Sequence, residues 1–313
     1  MVFNHIPVML SEVVSSLDIK PGGIYIDCTV GGGGHSRHIA EKLSHDAGGR
    51  LIGIDQDSSA LEAASQRLSD YDDVVTLVHR NFSELDCILS ELGIKYADGV
   101  LIDLGVSSYQ LDTPERGFSY MHDAPLDMRM DKASVLSAYD IVNGWSEAEL
   151  TRIFFEYGEE RFSRKIAAEI VKRRETAPVK TTSELAQICR DVIPAKVAAS
   201  GGNPAKRTFQ AIRIAVNREL DVIEPVINTA VDILSPGGRL SVITFHSLED
   251  RIVKKCFADY ATGCTCPSDF PVCVCGHKKR VKLLTKKPVI PSDEELSMNS
   301  RSHSAKLRTV IKL

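Results

Sequence analysis

A run of four glycines, Gly31 to Gly34, separates the strand-like stretch "YIDCTV" from the helix-like stretch "HSRHIA". Glycine has no Cβ, so its backbone can approach a ligand more closely than that of any other residue. A glycine-rich turn between a strand and a helix is typical of nucleotide-like ligand sites, whereas a merely flexible loop here would cost chain entropy without gain. The dinucleotide spacing G-x-G-x-x-G is not met, because from Gly31 or Gly32 the third position falls on Ser36 or Arg37. The turn therefore favours S-adenosylmethionine, a nucleoside without a pyrophosphate, over a nicotinamide cofactor.

Residues at the ends of the next two predicted strands could extend such a site. Asp55 ends "RLIGID", 22 residues after Gly33, where a carboxylate can accept hydrogen bonds from both ribose hydroxyls. Asp57 is the alternative residue for that role. The alternative without a ligand is that Asp55 is only a carboxylate in the turn that ends the strand. Phe82 follows "VVTLVHRN", where its ring would pack either on an adenine face or in the core.

Asp103 lies in "LIDLGVSS", which ends the fourth predicted strand, and would project toward the glycine turn. The exocyclic amine of a nucleobase is a weak nucleophile because its lone pair is delocalised into the ring. A carboxylate that accepts an N–H bond from the amine localises that lone pair for attack on a sulfonium methyl group. The Pro-Pro-aromatic sequence common after this position in amino-methyltransferases is absent, so a carboxylate that only binds the cofactor is the alternative.

These residues require strands that end at one edge of a sheet. Short apolar, β-branched stretches at 23–30, 50–55, 74–82 and 97–108 alternate with helical patterns. This alternation predicts an α/β fold with a doubly wound, Rossmann-like parallel sheet covered on both faces. Ligands of such sheets bind beyond the carboxyl ends of the strands, which is where the glycine turn and the aspartates would meet.

The alternation stops after residue 108 and resumes near residue 209. The intervening residues contain successive helical patterns and no convincing strand, which predicts an inserted all-helical subdomain. We therefore divide the chain into a first sheet segment (1–108), a helical insertion (109–208) and a second sheet segment (209–313). The last segment is predicted to contain four elements: one long helix over 207–234, a strand at 239–245, a helix capped by Ser247, and a final strand at 305–313.

The 313 residues are 43% hydrophobic and 26% charged, which is ordinary for a globular protein with a real core. No apolar run is long enough to span a membrane and no signal peptide is recognisable, so we expect a cytoplasmic protein. The net charge of −4 conceals two basic segments: residues 152–213 carry 13 Lys/Arg against 7 Asp/Glu, and residues 276–313 carry 10 against 3. These segments suggest a surface for a polyanion, and ion-paired helix faces are an equally good explanation.

Four of the eight cysteines lie within "CTCPSDFPVCVC": Cys264, Cys266, Cys273 and Cys275. Such density suggests a zinc knuckle, but the spacing is C-x-C rather than the usual C-x₂-C. A zinc site and reduced thiols are therefore equally favoured, and no metal ligand is assigned. Four basic residues follow directly and make this loop a candidate for phosphate contact: Lys278, Lys279, Arg280 and Lys282.

Taken together, several motifs resemble the MraW (RsmH) family of bacterial methyltransferases over nearly the whole chain. They are "HIPVML", "DCTVGGGGHS", "GIDQD", "DLGVSSYQLD", "PLDMRMD", "RTFQAIRIAVNREL" and "TFHSLEDRIVK". The resemblance implies transfer of a methyl group from S-adenosylmethionine to N4 of a cytosine in small-subunit (16S) ribosomal RNA, in the decoding region. It also implies a methyltransferase sheet with an inserted helical domain for substrate recognition.

Carried over residue by residue, the family's cofactor-binding set falls on Gly33, Gly34, His35, Asp55, Phe82, Asp103 and Gln110. His35 and Gln110 rest on the resemblance alone. Asp103 is the catalytic residue we predict, as the group that orients the amine. The partner expected is the small ribosomal subunit or its rRNA, with the target base splayed out of any pair so that N4 can react. We expect no membrane partner, and the sequence leaves a homodimer open.

Three alternatives stand beside this hypothesis. A nicotinamide-dependent oxidoreductase on the same fold is disfavoured by the missing third glycine. An RNA-binding protein without turnover is disfavoured by the complete cofactor set. Methylation of DNA would use the same amine chemistry, and basic charge does not discriminate DNA from RNA.

Overall fold

The computed structural model describes residues 7–197, 202–266, 272 and 274–313. The chain divides into two compact units, of which the first comprises Met1–Gly105 with Leu220–Leu313 and the second comprises Val106–Glu219. No helix among the described residues has the length and apolar character needed to cross a membrane.

The first unit is built on a sheet in which seven strands are described. They are β1 (Ile24–Asp27), β2 (Arg50–Asp55), β3 (Val75–His79), β4 (Ala97–Asp103), β5 (Leu234–Thr244), β6 (Val281–Leu283) and β7 (Lys306–Lys312). Their order across the sheet is β3-β2-β1-β4-β5-β7-β6. The strands from β3 to β5 in this order are parallel, and β7 runs antiparallel to both β5 and β6. The order reverses between β1 and β4, which makes this the switch point of a doubly wound sheet and confirms the predicted α/β fold class.

Both faces of this sheet are buried. Tyr25 and Leu51, which are paired across β1 and β2, pack in one hydrophobic core together with the N-terminal helix. Their neighbours Ile26 and Ile52 pack in the core on the opposite face. The helices of this unit are Leu10–Leu17, Gly34–Ala40, Ser58–Arg67, Leu85–Glu91, Ile223–Ile233, Ser247–Ala261 and Asp293–Met298. Burial on both faces explains why the strands are apolar throughout rather than alternating.

The second unit has its own core, and its described residues form helices and no strand. These helices are Ser108–Asp112, Ala138–Gly144, Glu147–Glu156, Ser163–Arg174, Thr182–Val192 and Lys206–Asn217. Several of them begin at a capping box, in which the first side chain and the one three residues later bond each other's backbone, as at Ser146 and Glu149. The chain leaves this unit after Glu219, beyond the predicted border at residue 208, because the helix Lys206–Asn217 packs in the core of this unit.

The second sheet segment differs from prediction in three places. The single helix predicted over 207–234 is wrong: Arg218 adopts a left-handed conformation (φ 51°) and separates two helices. β5 begins at Leu234 rather than at residue 239, because the "SPGG" turn is accommodated as an irregularity in its pairing with β4. The helix after β5 is capped by His246 rather than by Ser247.

Candidate functional site

Three strands of the sheet end in an aspartate at the same edge. Asp27, Asp55 and Asp103 are the last residues of β1, β2 and β4, and these strands are neighbours. Asp27 was missed by sequence reasoning. The signal that could have found it is the repeated ending Ile-Asp in "IYID", "LIGID" and "VLID". Because carboxyl strand ends carry the ligand sites of such sheets, three acidic groups converge where a ligand would bind.

Asp27 supports the glycine turn from within the fold. Its side chain is buried, with Oδ2 accepting a hydrogen bond from Ser36 Oγ at 2.6 Å and Oδ1 accepting one from the Thr29 N–H at 3.1 Å. Burial raises the pKa of Asp27 to about 6, against the opposing effect of these hydrogen bonds. The carboxylate therefore ties the end of β1 to the helix that follows the glycines.

Three of the four glycines, Gly32 to Gly34, differ in what a side chain would meet there. Gly33 has a φ of +76°, which strains any residue with a Cβ. A Cβ on Gly34 would come within 2.6 Å of Pro7 Cγ. At Gly32, in contrast, an added Cβ would meet no described atom within 4 Å. Two positions thus need glycine for the fold itself, whereas Gly32 borders open space in which a ligand can lie.

Asp55 is held at the glycine turn by backbone donors. The Gly31 N–H donates to Oδ2 at 2.8 Å and the Asp57 N–H donates to Oδ1 at 2.9 Å. Burial raises the pKa of Asp55 to about 6, these two bonds lower it, and the charges of Asp57 and Asp27 raise it further. Each oxygen keeps a second lone pair for a ligand hydroxyl. The side chain of Asp57 instead caps the next helix by accepting the Ser59 N–H at 3.0 Å.

Asp103 has a different environment from Asp55. Its backbone N–H donates to Thr29 Oγ1 at 2.7 Å, and its Oδ2 lies 3.7 Å from His35 Nδ1. Oδ1 is buried and has no hydrogen-bond partner among the described residues. Burial raises the pKa of Asp103 well above its usual range, and the charges of Asp27 and Glu249 reinforce that shift. An unsatisfied buried acceptor costs about 1–3 kcal/mol, so a ligand that brings a donor to it gains that amount.

His35 lies beside Asp103 and is itself buried. Its Nε2 is 2.9 Å from the Val8 carbonyl oxygen. Since a carbonyl oxygen only accepts, Nε2 carries a proton and donates it, and Nδ1 is the ring atom that faces Asp103. The structure thus joins, at the edge of the sheet, two predicted site residues that are distant in sequence.

Phe82 and Gln110 have roles in the fold of their own. Phe82 begins a 3₁₀ turn after β3 and packs, half-buried, against the core of the sheet. That turn is bound to the turn after β2 through Asn81 Nδ2, which donates to Gln56 Oε1 at 2.7 Å. Gln110 belongs to the second unit, where its Oε1 accepts the Ser107 N–H in a capping box. Their assignment to the cofactor stays a prediction.

A fourth acidic residue, Glu249, had no role assigned to it from the sequence. It is buried after β5, where Oε2 accepts the Phe245 N–H at 2.7 Å and Oε1 lies 3.2 Å from His246 Nε2. His246 in turn caps the helix Ser247–Ala261. Glu249 contributes to the raised pKa of Asp103, so the negative field around Asp103 comes from the end of β1 and from the helix that follows β5.

The MraW methylase family matches this sequence over residues 2–313. The chain belongs to the MraW methylase family. Membership confirms the resemblance found in the motifs and, with it, a methyltransferase that uses S-adenosylmethionine as its methyl donor. The alternative of a nicotinamide-dependent oxidoreductase is thereby wrong.

Two relatives illustrate how close the match is. A protein of Clostridium botulinum (strain Loch Maree / Type A3), called ribosomal RNA small subunit methyltransferase H, is 58% identical over 313 residues and covers 100% of both chains. A protein of the same description from Brevibacillus brevis is 56% identical over 311 residues, covering 99% of this chain and 98% of its own.

Solved structures resemble this one more distantly. An rRNA methylase from Streptococcus thermophilus aligns with a TM-score of 0.44 at 13% identity, over 100% of this chain and 99% of that one. A SAM-dependent O-methyltransferase from Thermotoga maritima aligns with a TM-score of 0.44 at 11% identity, over 100% of this chain and 68% of that one.

Proposed function

We propose that this protein methylates N4 of a cytosine in small-subunit (16S) ribosomal RNA, in the decoding region. The observation that carries the proposal is the buried Asp103 Oδ1, an acceptor without a donor, at the switch-point edge of a sheet in a methylase. An exocyclic amine brings two N–H donors, whereas a ring carbon of a base brings none. The proposal that the substrate is small-subunit rRNA rests on the description of the relatives. The proposal that the target base is cytosine rests on the motif resemblance.

The residues at the sheet edge fit the cofactor. Gly32 borders open space, and Asp55 keeps lone pairs that can accept bonds from ribose hydroxyls. We assign the rest of the cofactor set as the sequence predicted it: Gly33, Gly34, His35, Phe82, Asp103 and Gln110. When bound, S-adenosylmethionine supplies a sulfonium methyl group, whose carbon–sulfur bond breaks as the carbon–nitrogen bond forms.

Asp103 acts on the amine by accepting one of its N–H bonds. This contact rotates and polarises the amine so that its lone pair leaves conjugation with the ring and points toward the methyl carbon. No base is required before attack, because the nitrogen becomes acidic only once it has gained the methyl group. Asp103, paired with His35, is the group that we assign to receive the proton from N4 afterwards.

The second unit carries a groove suited to single-stranded RNA. It has a volume of about 680 Å³ and lies between the helices Glu147–Glu156 and Ser163–Arg174. Phe155 lines it with 66% of its side chain exposed. Its cationic residues are Arg152, Arg161, Arg164 and Lys165, against the single acid Glu156. An exposed ring among cations is what stacking of an unpaired base and neutralisation of phosphates require.

Substitution of Phe155 tests this groove. Phe155→Ala should weaken binding of small-subunit rRNA by about 5- to 150-fold, the loss expected for one stacked base. Tyr139→Ala is the matched control, because Tyr139 is also an exposed aromatic of this unit but does not line the groove. Equal affinities of the two variants, measured by filter binding at one salt concentration, would place the RNA elsewhere.

The proposed reaction is tested with radiolabelled S-adenosylmethionine and small ribosomal subunits that lack their native methylations, beside naked rRNA and DNA. The products are digested to nucleosides and separated. We expect label in N4-methylcytidine from the ribosomal RNA. Label in another nucleoside would mean that N4 of cytosine is not the acceptor atom. Label in nucleosides from DNA would favour the DNA alternative. Cofactor binding without label in any nucleoside would overturn the proposal that these nucleic acids are the methyl acceptor.

A further inference from the structure

Three cysteines outside the methylation site converge in the segment that joins the helix Ser247–Ala261 to β6. The sulfur atoms of Cys264, Cys266 and Cys275 all lie within 4.8 Å of one another. We propose that these three thiolates bind a structural zinc ion. Cys273 lies outside the described residues and is not part of the site assigned here.

The spacing of the sulfurs fits a shared metal and does not fit a disulfide. The Sγ atoms of Cys264 and Cys275 are 3.7 Å apart, whereas a disulfide bond is about 2.05 Å long. Zinc binds thiolates at about 2.3 Å in a tetrahedron, which places two sulfurs on one ion about 3.8 Å apart. Two thiols in simple contact would have a similar spacing, so the environment of the sulfurs decides between these explanations.

Backbone N–H groups are directed at the sulfurs from both halves of the segment. Cys266 Sγ accepts the N–H groups of Val274 and Cys275, each at 3.3 Å. Cys275 Sγ accepts those of Thr265 and His277, each at 3.4 Å. A neutral thiol is a weak acceptor, whereas a thiolate that binds a metal carries the negative charge that such donors stabilise. Each half therefore donates to a sulfur of the other half, as two loops around one ion do.

Among the residues of the segment that the structure describes, little else could fix it. Cys264 and Cys275 are exposed and Cys266 is half-exposed, so these thiols do not contribute to a hydrophobic core. The apolar side chains beside them are exposed as well, with Val272 at 70% and Val274 at 77%. Where burial of apolar surface is this small, a metal can supply the free energy that orders a short loop. Thiolates select soft metal ions, and of these zinc has no redox chemistry and takes a tetrahedral site.

The two ends of the segment are anchored in the sheet unit. The Arg280 N–H donates to the Tyr260 carbonyl oxygen at 2.8 Å, and the Arg280 guanidinium lies 4.8 Å from the Tyr260 ring centre. A zinc ion between these anchors would clamp the segment and set the direction in which Lys278 and Lys279 leave it. The role is structural, since the site contains no residue of the proposed methyl-transfer machinery.

Metal analysis of the purified, untagged protein tests the proposal. Plasma mass spectrometry should find about one zinc ion per chain, as for a structural site. The variant with Cys264, Cys266 and Cys275 all changed to Ser should hold at least about tenfold less. Cys87→Ser is the matched control, because Cys87 is an exposed thiol on the helix Leu85–Glu91, outside the segment with the three cysteines. This substitution should leave the zinc content unchanged.

Cobalt substitution of the wild-type chain keeps the test decisive if the triple variant does not fold. After zinc is removed and Co²⁺ added, wild type and Cys87→Ser should both show intense thiolate-to-cobalt charge-transfer absorption with the visible bands of a tetrahedral ion. Wild-type protein without zinc and without this absorption would overturn the site. So would iron bound in place of zinc, or a zinc content that the triple substitution does not change.

Discussion

β2 and β4 each end in an aspartate at the same edge of the sheet, but the two carboxylates differ in how fully the fold satisfies their hydrogen bonds. At the end of β2, both carboxylate oxygens of Asp55 accept backbone N–H groups. At the end of β4, one oxygen of Asp103 lies near His35 and the other is buried without a donor among the described residues. The first carboxylate is satisfied by the fold before any ligand arrives, whereas the second is not.

This difference separates two tasks that sequence position alone cannot distinguish. A carboxylate whose backbone bonds are complete is rigid and suits recognition of a group that does not react. A buried carboxylate that lacks a donor raises the free energy of the ligand-free protein, and it recovers that energy when a substrate donor arrives. We therefore expect Asp55 to act on cofactor affinity and Asp103 to act on turnover.

Substitution of Asp103 should have the largest effect. In Asp103→Asn the amide keeps the shape of the side chain, but it loses the negative charge that polarises the amine. Turnover at saturating S-adenosylmethionine should fall by about 10²- to 10³-fold. Cofactor affinity, measured by calorimetry, should fall much less than turnover, although Asp103 also belongs to the predicted cofactor set.

The control for this variant lies on the same strand. Asp98 is near the opposite end of β4, where Oδ2 accepts the Ile24 N–H at 2.9 Å, and Asp98→Asn should retain turnover. If Asp103→Asn also turned over normally, the contrast between the two strand ends would have no catalytic meaning.

Substitution of Asp55 should show the complementary pattern. Asp55→Ala should weaken cofactor binding by about 1–3 kcal/mol, because the ribose hydroxyls lose a charged acceptor. Asp57→Asn should bind the cofactor normally, since an asparagine still caps the helix that begins at Ser58. The reverse result, with affinity lost in Asp57→Asn and kept in Asp55→Ala, would move the ribose contact to Asp57.

The glycine turn offers a finer test of the same edge. In Gly32→Ala the new methyl group enters open space, so the fold should be unaffected while cofactor affinity falls by roughly tenfold through steric exclusion. In Gly33→Ala the left-handed backbone should lower stability by about 1–2 kcal/mol. Thermal unfolding and calorimetry on both variants separate these effects. A Gly32→Ala protein with wild-type affinity would show that no ligand occupies the space beside Gly32.

The regions that could be predicted from sequence are those in which one physical signal dominates. β1, β2 and β4 are buried on both faces, so their apolar, β-branched runs stand out from the helices between them. The break at Arg218 could not be predicted, because arginine does not favour a left-handed conformation. That helix end is instead held by a side-chain pair across the break, in which Arg213 donates to both carboxylate oxygens of Glu219.

The same distinction applies to the site. The glycine turn and the aspartates at the ends of β2 and β4 were predicted because each lies at the end of an obvious strand. The pairing of His35 with Asp103, and the missing donor at Asp103 Oδ1, depend on how distant segments pack. Asp27 was missed because it precedes the glycines, where a strand residue and a site residue look alike in sequence.

The pH dependence of stability should show the smallest effect, and it tests the burial that the two aspartates share. Burial raises the pKa of both carboxyls above the unfolded value of about 3.9, to about 6 for Asp55 and well above the usual range for Asp103. Above pH 4 the folded state therefore binds more protons than the unfolded state. Each carboxyl then lowers the free energy of unfolding as the pH rises toward its folded pKa. Besides burial, the charges of Asp27 and Glu249 raise the pKa of Asp103, and both of these side chains are buried.

An asparagine at either position removes this penalty. Relative to wild type, the free energy of unfolding of each Asn variant should increase with pH. For Asp55→Asn the increase should level off above about pH 6–7, close to the folded pKa of that residue. For Asp103→Asn the increase should have the same sign, because burial also raises the folded pKa of Asp103. Urea unfolding from pH 4 to pH 8 measures both curves, and a variant whose stability relative to wild type does not rise with pH would show that burial does not raise the pKa of that carboxyl.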